Sequence, residues 1–102
     1  MPNALIDKEG GNVAKLHQLW FDDKSSAYRG NIEFVDAPVG LKELLDHLEE
    51  LVEDQTFALV DGVQGQIDAF NFYVLLDDGT KHLICDLYVA KDGACSFRKS
   101  DG

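Results

Sequence analysis

The chain has 102 residues, the length of one ordinary domain, and we expect residues 1–102 to form a single domain. It carries 9 Lys plus Arg against 19 Asp plus Glu, which gives a formal net charge of −10. DNA, RNA and anionic membranes attract clustered basic residues, so this charge balance argues against all three as partners. An apolar fraction of 45% is enough to build a core and argues against disorder.

Targeting signals are missing from the sequence pattern. The first twenty residues contain no continuous apolar stretch of the kind found in a signal peptide. The longest apolar run, Phe72 to Leu76, is far shorter than the ~20 residues that cross a bilayer. Cys85 and Cys95 are expected to remain thiols, because a domain of this size folds without a disulfide. Together these features predict a cytoplasmic protein that does not enter membranes.

The segment from Asn12 to Phe21 fits two local structures. Val13, Leu16 and Trp20 follow a helical spacing, whereas the end of the segment alternates in the manner of a strand. We favour the strand, because it would form a hairpin with a second alternating segment, Tyr28 to Val35. The helix remains the alternative.

Leu41 to Asp54 is predicted to be an amphipathic helix. Pro38 disfavours helix in the residue before it, and Gly40 suits the N-cap position. The apolar residues of this segment recur at spacings of three and four, namely Leu41, Leu44, Leu45, Leu48, Leu51 and Val52.

After this helix the apolar period changes to two. We expect a short strand at Thr56 to Val60 and a flexible stretch at Gly62 to Gly65. Three antiparallel strands should follow, at about Ile67 to Leu76, Lys81 to Ala90 and Ala94 to Arg98. The pattern therefore predicts a two-layer α+β fold in which one amphipathic helix packs on a mostly antiparallel sheet. The order is β-β-α-β-β-β-β, it ends in a C-terminal β-meander, and no internal repeat is visible.

The turns of this meander define a candidate surface on the sheet, because they set which residues share a face. Asp78-Gly79 and Asp92-Gly93 are typical of two-residue hairpin loops, which set the strand register. On the sheet face away from the helix this register places, among others, the candidate ligand or dimer residues Tyr73, His82, Asp86, Tyr88 and Phe97. Such a face is too apolar to be left wholly in water. It is core beneath the N-terminal segment, a homodimer interface, or a pocket for a small molecule or peptide.

The predicted helix concentrates negative charge. It contains six carboxylates and one lysine, so this element contributes −5 to the net charge, and acids near its C-terminus oppose the helix dipole. The surface is either a solvated face that keeps an acidic protein soluble or a face presented to a cationic partner. The candidate partner-binding residues are Glu43, Asp46, His47, Glu50, Glu53 and Asp54.

No motif with metal-ligand, nucleotide-binding or nucleophile spacing occurs in the chain, so we expect no metal, no cofactor and no catalytic residues. The leading hypothesis is a small non-enzymatic interaction protein that binds a basic protein partner. In charge and size alone it resembles inhibitors or immunity-type partners of nucleases and toxins. The alternative hypothesis is a small-molecule-binding or homodimerising module that uses the sheet face away from the helix.

Overall fold

A computed structural model describes residues 3–100, and over this range six antiparallel strands close into a barrel. The strands are β1 (Asn3–Ile6), β2 (Asn12–Asp22), β3 (Ala27–Phe34), β4 (Tyr73–Leu75), β5 (Lys81–Val89) and β6 (Ala94–Lys99). The strand order around the barrel is β1-β2-β3-β6-β5-β4. Between β3 and β4 the chain forms helix α1 (Leu41–Glu53), a short 3-10 helix (Phe57–Leu59) and helix α2 (Val60–Asp68).

The predicted open, two-layer arrangement is wrong because the sheet closes on itself. β3 pairs with β6, and β1 pairs with both β2 and β4. The sequence pattern missed β1, a strand of four residues, and without it the sheet would have two free edges. The antiparallel pairing and the mixture of helix and strand are confirmed.

Local predictions around α1 divide into two groups. The β2–β3 hairpin is confirmed, and α1 begins at Leu41 after Gly40, whose φ of 86° is left-handed. The predicted strand at Thr56 to Val60 and the flexible stretch after it are wrong, since this region is helical. Val63 and Ile67 are buried four residues apart, and α2 packs against α1 and β5. Packing therefore overrides the weak helix propensity of a segment with two glycines.

The predicted strand at Ile67 to Leu76 is mostly absent, since only Tyr73–Leu75 pairs as β4. Ile67 belongs instead to the end of α2. A continuous run of apolar residues does not distinguish a strand from a buried helix end. Over residues 3–100 no helix is both long enough and apolar enough to span a membrane.

Both hairpin turns of the C-terminal half have three-residue loops. The N–H of Leu76 donates to the carbonyl of Thr80, and the N–H of Ala90 donates to the carbonyl of Ala94. The third loop residue is Gly79 or Gly93, with φ of 90° and 91°. A left-handed glycine after two turn residues is typical of this loop. The register is shifted by one residue from the two-residue prediction, so that Val74 faces His82.

Bulges interrupt β2 and β5 in the same way. In β5 the pairing with β6 shifts between Cys85 and Tyr88, and Asp86 has a φ of 57°. In β2 the pairing with β3 shifts between His17 and Trp20. Each bulge inserts one residue into the strand and reverses the inward and outward alternation beyond it.

The barrel has approximate two-fold symmetry in its strand pairing, in which β1, β2 and β3 correspond to β4, β5 and β6. Under this symmetry Phe21 corresponds to Val89 and Tyr28 to Cys95. Phe21 pairs with Tyr28, and Val89 pairs with Cys95 in the same way. The Leu5–Val74 pair maps onto itself. The residues at equivalent positions differ in size and polarity, which explains why no repeat is visible in the sequence.

The barrel interior and the helices share one core. Leu5, Val74 and Phe97 come from the barrel, and Leu41 and Leu48 come from α1. Both helices contact β5 and each other. The predicted apolar stripe of α1 is thus its packing face, as amphipathic spacing requires.

Glu49 is the exception among the α1 carboxylates, because its side chain is only 4% exposed. Its Oε2 accepts a hydrogen bond of 2.8 Å from the backbone N–H of Lys91, in the β5–β6 turn. Glu49 therefore fastens α1 to the end of this hairpin, a role that the sequence did not indicate.

We predict that Glu49→Gln lowers the free energy of unfolding by about 0.5–1.5 kcal/mol, because a charge-assisted hydrogen bond becomes a neutral one. Urea unfolding at neutral pH measures the difference. Glu50→Gln is the matched control, since Glu50 is exposed on the same helix and should change stability by less than ~0.5 kcal/mol. Equal effects of the two substitutions would contradict the anchoring role of Glu49.

Candidate functional site

The exposed side of α1 brings together all six residues predicted to bind a partner. We call this surface the acidic face: Glu43, Asp46, His47, Glu50, Glu53 and Asp54, every one of them exposed. At 3.6 residues per turn they occupy one continuous side of the helix, opposite the buried Leu41, Leu45 and Leu48. The five carboxylates are therefore available together to one partner.

The charge of the acidic face is not neutralised within the part of the chain that the structure describes. Ion pairs there join His17 to Glu33 and Asp22 to Arg29, and neither pair involves α1. Lys42 is the lysine on this helix, and its Nζ lies 5.6 Å from the centre of the Phe34 ring. The last turn of α1 contains no basic residue, so its carboxylates also oppose the helix dipole.

Exposed apolar side chains border both ends of the acidic face. Val39 precedes the helix and is 99% exposed. Phe57, 62% exposed, and Leu59 follow it in the 3-10 helix. Protein interfaces commonly combine apolar anchors of this kind with a charged periphery.

The predicted ligand or dimer surface on the sheet does not exist as one face. Phe97 is 1% exposed and lies in the core. Tyr73 pairs with Leu83, whereas His82 pairs with Val74 and so points to the opposite side of the sheet from Tyr73. The three-residue loops and the β5 bulge are the reason, because each changes the face on which the following residues lie.

Asp86 and Tyr88, which also belonged to that prediction, lie next to the helices. The N–H of Asp86 donates to Oδ1 of Asp68 in α2 at 3.0 Å. Burial raises the pKa of the Asp68 carboxyl, and the nearby Asp86 charge adds to this effect. Burial also raises the pKa of Tyr88, with further contributions from Glu49 and other carboxylates. The hydrogen bond from Asp86 to Asp68 therefore helps to hold α2 against β5.

A groove that the sequence pattern did not indicate lies beside the β2–β3 turn. We call it the basic groove: it encloses about 640 Å³ and is lined by Phe21, Ser26, Tyr28, Arg98 and Lys99. Lys99 Nζ lies 5.6 Å from the centre of the Tyr28 ring. The adjacent basic residues at the end of β6 were a sequence signal, but the pairing that brings Phe21 and Tyr28 beside them was not.

The described residues contain no metal-binding cluster, and the thiol of Cys95 is not activated. Over 3–100 no cluster of three or more His, Cys, Asp or Glu side chains could hold a metal ion. Cys95 is buried, and burial raises the pKa of its thiol to about 11. A thiol with this pKa is protonated at neutral pH, which is the opposite of what a nucleophilic cysteine requires.

No protein-family model matches the chain, and no curated protein or solved structure matches it either.

Proposed function

We propose that the protein is a non-enzymatic interaction module that binds a basic protein partner on the acidic face of α1. The observation that carries this proposal is the joint exposure of Glu43, Asp46, Glu50, Glu53 and Asp54 on one side of a helix. Glu50, Glu53 and Asp54 lie near the C-terminus of α1, where their charges oppose the helix dipole and repel one another, and this lowers the stability of the isolated protein. A cationic partner removes this unfavourable term when it binds.

Electrostatics and apolar contact have separate roles in this interaction. The negative potential of the acidic face accelerates encounter with a basic surface, and this acceleration weakens as salt increases. Phe57 and Leu59 supply the apolar surface that is buried once the partner has docked. Inhibition of a basic nuclease or toxin, in the cytoplasm, is the form of this function that the small size and acidity of the chain favour.

The test is a charge reversal with a matched control. Asp46→Lys, Glu50→Lys and Glu53→Lys are combined in one variant. The control combines Glu9→Lys, Asp23→Lys and Asp77→Lys, which change the net charge equally at exposed positions away from α1. Circular dichroism establishes that both variants are folded.

The probes are a panel of purified basic ribonucleases and deoxyribonucleases, with binding measured by calorimetry at low and high salt. We expect at least one to bind, with an affinity that falls about tenfold or more in the α1 variant and much less in the control. Equal losses in the two variants would show that net charge alone drives the association. Absence of binding across the panel would count against nucleases as the partner class.

A further inference from the structure

The two-fold symmetry of the barrel links the basic groove to the place where α1 sits. Val89 and Ile32 line the cleft beneath α1, together with Leu45 and Lys42 of the helix itself. This symmetry maps Val89 onto Phe21, and it maps Ile32 onto Lys99. Phe21 and Lys99 both line the basic groove. The basic groove is therefore the symmetry counterpart of the cleft that α1 covers, and no helix of residues 3–100 lines the groove.

The residues that line the α1 cleft differ in chemistry from those that line the basic groove. Below α1 the lining strand residues are mainly apolar, as suits a stripe of leucines. In the basic groove Phe21, 46% exposed, contacts Tyr28 edge-on at 5.1 Å between ring centres. Tyr28 in turn stacks on the buried Phe97 at 5.5 Å. An exposed aromatic surface is thus continuous with the core.

The charge of the basic groove is opposite to that of the whole protein. Arg98 and Lys99 line it, and no carboxylate is among its lining residues. Neither residue belongs to an ion pair within the described chain, where the ion pairs are His17–Glu33 and Asp22–Arg29. Two cations beside the exposed Phe21 ring and the half-buried Tyr28 ring complement a ligand that is both anionic and apolar.

We propose that the basic groove binds an acidic amphipathic helix of a partner protein. The symmetry with the α1 cleft indicates that the ligand is a helix, and the charges of Arg98 and Lys99 indicate that this helix is acidic. Phe21 and Tyr28 receive the apolar side of the helix, as in other complexes where a helix lies in a groove. The acidic face is a separate surface, so this second interaction does not depend on the proposed function.

The chain itself contains a suitable probe. A fluorescein-labelled peptide of residues 40–54 carries the leucine stripe and the acidic residues of α1. Its binding to the full-length protein is measured by fluorescence anisotropy, at low salt and at high salt. We expect saturable binding below about 1 mM that weakens as salt rises. A peptide of the same composition in scrambled order, which lacks the apolar stripe, should bind about tenfold more weakly or worse.

Variants of the groove decide where the peptide binds. Arg98→Glu with Lys99→Glu should weaken binding about tenfold or more, and so should Phe21→Ser. The matched control is Lys8→Glu with Lys15→Glu, which makes the same change in net charge at exposed positions of the first hairpin. Circular dichroism verifies folding, and Phe21→Ser tests the site without any change of charge.

Three results would overturn the proposal. The first is no saturable binding of the peptide up to about 1 mM. The second is equal affinity of the groove variants and the control for the peptide, because the peptide would then bind in the cleft beneath α1 or on another surface. The third is dimerisation of the unlabelled protein that Arg98→Glu with Lys99→Glu abolishes, since the occupant would then be a second copy of this chain.

Discussion

Phe97→Ala is expected to lower the free energy of unfolding by about 3–5 kcal/mol, the usual cost of removing a large aromatic side chain from a core. Phe97 is buried in the cluster that joins the barrel to the helices, and its ring stacks on Tyr28. Its removal leaves a cavity in the barrel core and takes away the ring that supports Tyr28 in the basic groove. Had Phe97 lined an exposed dimer face or pocket, two of the three alternatives that the sequence left open, the cost would be far smaller.

Urea unfolding of Phe97→Ala is best compared with that of Phe57→Ala. Phe57 is mostly exposed in the 3-10 helix, so its removal should change stability by less than ~0.5 kcal/mol. Small domains have only about 5–15 kcal/mol of stability, so Phe97→Leu provides a milder variant with a loss in the same direction. Similar stabilities for the Phe97 and Phe57 alanine variants would contradict the barrel core described here.

Gly30→Ala and Gly65→Ala are expected to change stability in opposite directions. A Cβ on Gly30 would lie 2.9 Å from the carbonyl oxygen of His17 and 3.2 Å from Cα of Leu19, both part of the β2 bulge. Backbone cannot move away as a flexible side chain does, so we expect a loss of about 1–3 kcal/mol. A Cβ on Gly65 in α2 meets no atom within 4 Å, and alanine there should stabilise the protein by about 0.4–1 kcal/mol.

Thermal and urea unfolding of the two glycine variants measure this contrast. Gly62→Ala repeats the α2 substitution at a second open position and should also stabilise. A stabilising Gly30→Ala would show that β2 and β3 do not approach each other closely at the bulge. A destabilising Gly65→Ala together with a destabilising Gly62→Ala would show that residues 60–68 are not helical.

The candidate sites were predictable to different degrees. The acidic face was predictable residue by residue, because side chains on one helix keep their relative positions whatever the helix packs against. The surface of Tyr73, His82 and Phe97 was not, because it depended on the loop lengths of two hairpins and on a bulge. The basic groove depended further on the pairing of β3 with β6, which are about sixty residues apart in the chain.

The sequence by itself determined α1, its start after Gly40, its leucine stripe and its acidic face, because all of these follow from spacings within a few turns of one helix. It also determined the β2–β3 hairpin through local alternation. Only the tertiary structure decided the closure of the barrel by β1, the helical state of residues 60–68 and the one-residue shift of register at Gly79 and Gly93. Barrel closure and the helical state of residues 60–68 depend on backbone hydrogen bonds and packing between distant segments, which leave little trace in the local periodicity of the chain. The register shift arises within the turns, because an Asp-Gly pair is compatible with both a two-residue and a three-residue hairpin loop.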